Sequence, residues 1–255
     1  MSRNPLDQEQ RLPGGAEGPF PPSYRRRYEV THQGEAAERI ADRWHISRAE
    51  VDAYAARSHR RQFAEEIVPV MVPPGWITKD HTIRPETSPE RTAQLPPAFR
   101  PDGRLTAGSS SQVVDGAAAL LLADRKLARG EGWPVQAILV DHVVVGSDPV
   151  LMLTGPIPAS RRLLARNGVP ANAVQWYEVD EAFATVPLAW QRELAVDDAR
   201  LTPAGGAIAL GHPLGASGVR LLVTLITGLR RRGGGWGISA MCVGGGIGTA
   251  TLVRV

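Results

Sequence analysis

Across the second half of the chain, short apolar runs alternate with amphipathic stretches, and this alternation predicts a succession of strands and helices. Residues 135–145 are rich in β-branched side chains and read as a strand, and 174–179, 207–210, 236–241 and 249–255 read as further strands. Helices fall between them. One has Pro158 near its start, Leu163 and Leu164 on its buried side and Asn167-Gly168 at its end; others are predicted over 183–194 and 217–231, the last with Ser217 as its N-cap. Such an order implies an α/β layered domain around a largely buried sheet, whose last two strands pair antiparallel through the turn 244–248. Upstream, Ala36, Ile40 and Trp44 share one helix face, and Ser47-Arg48-Ala49-Glu50 is a capping box that opens a second helix carrying Val51, Tyr54 and Ala55. Breakers dominate elsewhere: residues 1–27 predict an extended or disordered arm, 73–105 a loop-rich stretch, and the apolar run 116–122 fits a helix or a buried strand.

At 255 residues the chain can bury a substantial core, and a formal charge of +3 is too mild to single out nucleic acid as a partner. The basic cluster Arg230-Arg231-Arg232 falls where a helix should end, before Gly233, and cations there complement the helix dipole. A single cysteine excludes an internal disulfide framework, no apolar stretch is long enough to span a bilayer, and the first residues lack the apolar core of a signal peptide. A soluble, cytoplasmic protein without membrane or nucleic-acid partners is expected.

The one cysteine stands in an unusual place. Cys242 lies in Met241-Cys242-Val243-Gly244-Gly245-Gly246-Ile247-Gly248, and upstream of it His212 lies in Gly211-His212-Pro213-Leu214-Gly215-Ala216-Ser217-Gly218, between a predicted small-residue strand and an apolar helix. A thiol and an imidazole, each on glycine-rich backbone at the end of a β-element, suit proton transfer on a bound ligand, and free glycine amides let a substrate approach or hold an oxyanion. A lone cysteine is more often a buried small hydrophobe, and a loop histidine is often satisfied by backbone. Other chemistries fit worse. The turn 244–248 opens no helix for a dinucleotide, neither Lys79 nor Lys126 follows a glycine loop, Gly215-Ala216-Ser217-Gly218 misses the spacing of a nucleophile elbow, and the six histidines show no metal-ligand spacing.

Together, the run from Gly205 to Gly218, the Cys242 to Gly248 turn, Glu181-Ala182-Phe183-Ala184, and Thr106-Ala107-Gly108 with Ser111 and Asp115-Gly116-Ala117-Ala118-Ala119 resemble the later signatures of the thiolases. The resemblance implies a layered α/β/α C-terminal half with a helical, loop-rich insertion: an arm over 1–27, a loop domain over 28–105, the last strand of the thiolase N-terminal half with a linker over 106–134, and the C-terminal domain over 135–255. It implies that His212 activates a nucleophilic cysteine and helps hold the thioester oxygen, that Cys242 removes a proton from the acyl-CoA α-carbon, and that Gly244 offers an oxyanion-hole amide. By the same resemblance Ala107 and Ser111 contact pantetheine, Arg84 the phosphate or adenine of coenzyme A, and Ala182, Phe183 and Gln33 the substrate, the last where a methionine often lines the acyl pocket. Coenzyme A thioesters enter as substrates, with no other cofactor and no metal.

Departures from the family pattern sharpen the expectation. Asp180 stands where most thiolases have an asparagine that orients the oxyanion-hole water, and Ala204 replaces another common asparagine. A carboxylate in that place opposes a developing negative charge unless it is protonated or paired. The acyl-accepting cysteine of the family has no counterpart in the 255 residues. The chain is therefore expected to be the C-terminal subunit of a split, heteromeric thiolase-like acyltransferase whose second polypeptide supplies the N-terminal half and its nucleophile. The alternatives are a non-catalytic CoA-binding or scaffolding subunit and, more weakly, an acyl-CoA hydrolase with Cys242 as nucleophile.

Overall fold

A computed structural model describes residues 20–60 and 66–255. In chain order the elements are α1 (Pro22–Arg25), α2 (Gln33–Arg43), α3 (Arg48–Arg60), β1 (Val70–Val72), β2 (Gly75–Ile77), α4 (Pro89–Ala93), α5 (Arg125–Gly130), β3 (Ile138–Gly146) and α6 (Pro156–Asn167). Then follow β4 (Val174–Val179), α7 (Thr185–Leu194), α8 (Ala207–Leu210), α9 (Leu214–Arg231), β5 (Trp236–Val243) and β6 (Ile247–Arg254).

Four strands form the main sheet in the order β3-β6-β5-β4. The β5–β6 hairpin is antiparallel, β6 pairs antiparallel with β3, and β4 runs parallel to β5. Helix α6 lies against β3, β5 and β6, while α9 lies against β4 and β5, so helices cover both faces of the sheet. Helix α9 turns Leu221, Leu225 and Leu229 inward, one per turn, and all three are fully buried. Close approach needs Gly228: a Cβ there would fall 2.2 Å from the Trp176 ring of β4. On the other face Trp190 of α7 is fully buried edge-on to Tyr177, with ring centroids 4.9 Å apart, and its indole donates to Ser160 Oγ of α6 at 3.0 Å. Ala36, Ile40, Val51 and Tyr54 of α2 and α3 join the same hydrophobic cluster, which continues through Phe183 and Trp190.

Local signals explain most boundaries. Glu50 accepts from the Ser47 amide at 2.8 Å while Ser47 Oγ accepts from the Glu50 amide at 3.2 Å, the reciprocal bonds of the capping box that starts α3. Gly168 ends α6 in the left-handed region at φ 62°, where a side chain would be strained.

Several expectations are corrected. Most of the arm expected over 1–27 lies outside the described residues, and within it Pro22–Arg25 forms a helical turn, started by Pro22 at a position where its missing N–H costs nothing. Residues 207–210, read as a strand, are the single turn α8, because each amide of the run Ala209, Leu210, Gly211 reaches back to Gly206 or Ala207. His212 thus sits between two helices. Ser217 is not the N-cap of α9, which begins at Leu214; it lies one turn inside, fully buried. The hairpin β1–β2 forms within a region where only loop was expected from about residue 73. The run 116–122 is neither helix nor paired strand, and Leu121 is 82% and Leu122 72% exposed. Above α9 it borders a cavity of about 350 Å³ lined by Ala117, Ala118, Ala119, Leu210, Arg220 and Val223 among others.

Candidate active site

In an open sheet of this kind ligands gather at the carboxyl ends of parallel strands. The carboxyl ends of β4 and β5 are where the candidate residues meet. The Asp180 amide donates to Ala240 O at 2.9 Å, which ties the first residue after β4 to the strand that ends in Cys242 and Val243. His212 reaches the same place from the α8–α9 connection, with Nε2 3.6 Å from Asp180 Oδ2.

Two contacts fix the imidazole. Its backbone amide donates to Gln112 O at 2.7 Å, and its Nδ1 lies 2.7 Å from Ser217 Oγ. Ser217 Oγ is also 3.1 Å from Pro213 O, a carbonyl that already accepts the amides of Ala216 and Ser217. With the Ser217 hydroxyl donating to Pro213 O, its oxygen accepts the Nδ1 hydrogen of the neutral imidazole, which leaves Nε2 free to take a proton. Both bonds persist when Nε2 gains or loses a proton, because neither the Nδ1 hydrogen nor the Ser217 hydroxyl has to move. The place of Ser217 could have been read from the sequence: a helix starting at Leu214 puts Ser217 and Arg220, three residues apart, on one face.

Burial and the Asp180 carboxylate both push the Cys242 thiol well above the usual thiol range. Cys242 rests protonated, which suits an acid/base and does not suit a resting nucleophile. Beyond it Gly244 occupies the exposed β5–β6 turn, with open space where a Cβ would stand.

Glu181 anchors the floor. Its carboxyl accepts from Tyr54 Oη at 2.8 Å, Ser58 Oγ at 2.7 Å and the Ile208 amide at 3.2 Å, joining α3, β4 and α8. A Cβ on Gly206 would lie 2.6 Å from this carboxyl carbon, so a glycine is required where the chain passes it. Ala182 and Phe183 follow, both buried; the Ser111 amide donates to Ala182 O at 3.0 Å and the Ala184 amide to Ser109 O at 3.0 Å. Ser111 and Gln112 are thereby held between the Ala182-Phe183 segment and His212.

The remaining expected contacts are more loosely connected. Ala107 is exposed and starts a single turn capped by Thr106. Gln33 begins α2; beside it Gly34 packs on Phe99, whose ring meets Phe183 edge-on at 5.5 Å. Arg84 is exposed and its amide donates to His59 Nδ1 at 3.1 Å.

Reasoning from sequence missed two charged residues beneath Asp180. Glu178, wholly buried in β4, accepts from Trp176 Nε1 at 2.6 Å, and Arg220 of α9 lies 3.8 Å from Glu178 and 4.0 Å from Asp180. Burial lifts the Glu178 carboxyl from its ordinary 4.5 to about 8, with Arg220 and the Trp176 N–H opposing and Glu181 and Glu66 adding to the rise. The folded protein consequently holds a proton that the unfolded chain releases. Stability from this group is complete below about pH 4.5 and falls as pH rises toward 8. Glu178→Gln removes that dependence, so the Tm of the variant relative to the native chain should climb steadily over this interval in thermal melts; a constant difference would show that Glu178 is charged at neutral pH.

Comparison with known proteins decides the family. The family model described as thiolase, N-terminal domain, matches residues 20–126, and that described as thiolase, C-terminal domain, matches residues 133–255. The chain belongs to the thiolase family. It is 43% identical over 237 residues to the acetyl-CoA acetyltransferase of Pseudomonas aeruginosa, covering 88% of this chain and 60% of that protein. It is 41% identical over 230 residues to the steroid 3-ketoacyl-CoA thiolase FadA6 of Mycobacterium tuberculosis, covering 87% and 56%. Among solved structures, the Bacillus anthracis acetyl-CoA acetyltransferase superposes with a TM-score of 0.81 at 37% identity, over 87% of this chain and 59% of that one. The chain thus spans about three fifths of the length of these relatives. Its expected α/β thiolase-like fold is the fold observed. Among the described residues no helix is long and apolar enough to cross a membrane.

Proposed function

We propose that this chain carries the acid/base half of a thiolase-type acyltransferase, acting on acyl-CoA thioesters by Claisen condensation or its thiolytic reverse. The observation that carries this reading is the meeting of His212 and Cys242 at the carboxyl ends of β4 and β5, around Asp180, in a chain of this family. A thiol supplied by polypeptide outside these 255 residues takes the acyl group, its proton passing to His212 Nε2. The CoA thiolate leaves and receives the proton of Cys242, which then becomes a thiolate able to take the α-proton of a second acyl-CoA. The resulting enolate attacks the thioester, the bond to the acylated thiol breaks, and that thiolate recovers its proton from His212, while the His212 N–H and glycine-turn amides such as that of Gly244 hold the oxygens on which charge develops.

We place that second thiol on a separate, thiolase-like polypeptide, in a cytoplasmic hetero-oligomer. The exposed apolar run 116–122, which lies outside any helix or strand, supports a further layer over this face, since a patch of this kind on a finished surface is unusual. Asp180 is the observation that favours the scaffolding alternative. The direct test is acylation followed by mass spectrometry. Incubated alone with an acyl-CoA, the chain should gain no stable acyl adduct; mixed with a thiolase N-terminal half bearing its cysteine, that half should become acylated and 3-ketoacyl-CoA should form. A stable acyl group on Cys242 would instead establish the hydrolase reading.

A further inference from the structure

Beneath His212 lies a cluster of charges that the proposed reaction does not use. Glu178 and Asp180 are two residues apart along the line of β4, so their side chains leave the same face of the sheet. Both are almost wholly buried, and Arg220, with a side chain 17% exposed, lies between them. Among the described residues neither Asp180 oxygen, nor Glu178 Oε2, nor any of the three guanidinium nitrogens has a hydrogen-bond partner. One cation therefore serves two carboxylates at 3.8 and 4.0 Å.

Among the described residues the other cation close by is Arg57 of α3, which acts on Glu181 and is not among the charges that act on Glu178. Glu181, next along the chain, is bound by Tyr54, Ser58 and the Ile208 amide. From α9 come the Ser217 hydroxyl and Arg220, from β5 the Cys242 thiol, and from the segment before β1 Glu66, 3.6 Å from Arg231. With both carboxylates ionised, a net negative charge would be buried directly behind the place where an oxyanion must form, and such uncompensated charge is costly. With one of them neutral, Arg220 balances the other.

We propose that Arg220 and a protonated Glu178 are positioning residues: Glu178 keeps its proton so that the guanidinium is left for Asp180, which then stands as a charge-balanced carboxylate facing His212 Nε2 and stabilising the proton taken up there. The burial-driven rise of the Glu178 carboxyl agrees with this allocation. The inference deepens the proposed acyl-transfer role of His212, and it explains how a carboxylate can occupy the place where most of the family has an asparagine.

Infrared spectroscopy of the full chain reads the proton without any turnover. A carbonyl band of a buried protonated carboxyl should be present at pH 7, absent in Glu178→Gln, and titrate with a midpoint near 8. In Asp180→Asn, a nearly isosteric change, Arg220 is free to serve Glu178 alone, and the midpoint should fall by about one pH unit or more; Arg220→Met should raise it comparably, and Arg220→Lys should bring it back toward the native value. If Arg220→Met does not fold, Asp180→Asn still decides. Absence of the band at pH 7, or a midpoint unmoved by Asp180→Asn, overturns the proposal. These outcomes separate from those of the reaction: shifted midpoints in a chain that never supports acyl transfer would uphold the charge arrangement and reject the proposed function, whereas acyl transfer with unmoved midpoints would do the reverse.

Discussion

Replacing Cys242 by Ala in the assembled enzyme should abolish α-proton exchange and condensation, with losses of about a hundredfold or more, while transfer of the acyl group to the partner's thiol is slowed far less. The two steps ask different things of this thiol. Among the described residues proton abstraction from carbon falls to this thiol, because the imidazole serves the nucleophile and the Asp180 carboxylate is balanced by Arg220. Loss of a CoA thiolate needs little help, since a thiolate leaves without full protonation. His212→Ala should give the complementary pattern, slowing acylation itself by about a hundredfold or more, because the nucleophile loses both its proton acceptor and the N–H that faces the thioester oxygen. Solvent deuterium incorporation into the acyl-CoA and rapid-quench acylation measure the two steps separately. Acylation lost only in Cys242→Ala would assign this residue as the nucleophile and end the acid/base reading.

The layers of the fold were legible because they rest on periodicity and on local punctuation. The β-branched run that became β3, the Ser47–Glu50 box at α3, Gly168 after α6 and the glycines between β5 and β6 each act through their own neighbours, so the sequence alone displays them. Where the reading failed, distant partners decide. Ala207–Leu210 has the small apolar composition of a buried strand, yet Gly206 must pass the Glu181 carboxyl, and the Ile208 amide donates to that same carboxyl, which fits the start of a helical turn. Ser217 looks like a cap because it precedes a long apolar helix; Pro213, with fixed φ and no N–H to satisfy, opens that helix instead. At the site, His212, Cys242 and Gly244 announced themselves through glycine-rich flanks. Glu178 and Arg220 did not, since a charged residue amid apolar ones carries no mark of which opposite charge the topology will bring to it.

Gly248→Ala should cost roughly 1–3 kcal/mol and lower the Tm by about 2–12 °C, although the substitution adds one methyl group. A Cβ at this position would lie 2.1 Å from the carbonyl carbon of Gly155, just before α6, where only backbone faces backbone and no side chain can turn aside. Gly248 has no positive φ, so the clash alone acts. The strain has a short route to the site, because Gly248 pairs with Cys242 on β5 and with Val145 on β3. The turn itself is held on the same side by the Ser147 amide, which donates to Gly246 O at 2.6 Å, so the hairpin cannot simply lift away without breaking that bond. The methyl group should therefore displace the carboxyl end of β5, and α-proton exchange should fall along with stability. Gly244→Ala is the control for stability, since open space surrounds its Cβ and its φ is not positive; its Tm should change by the equivalent of no more than about 0.5 kcal/mol. Equal melting temperatures for the native chain and Gly248→Ala would mean that the contact between Gly155 and Gly248 does not set the position of the hairpin, and that the thiol is held in place by the sheet alone.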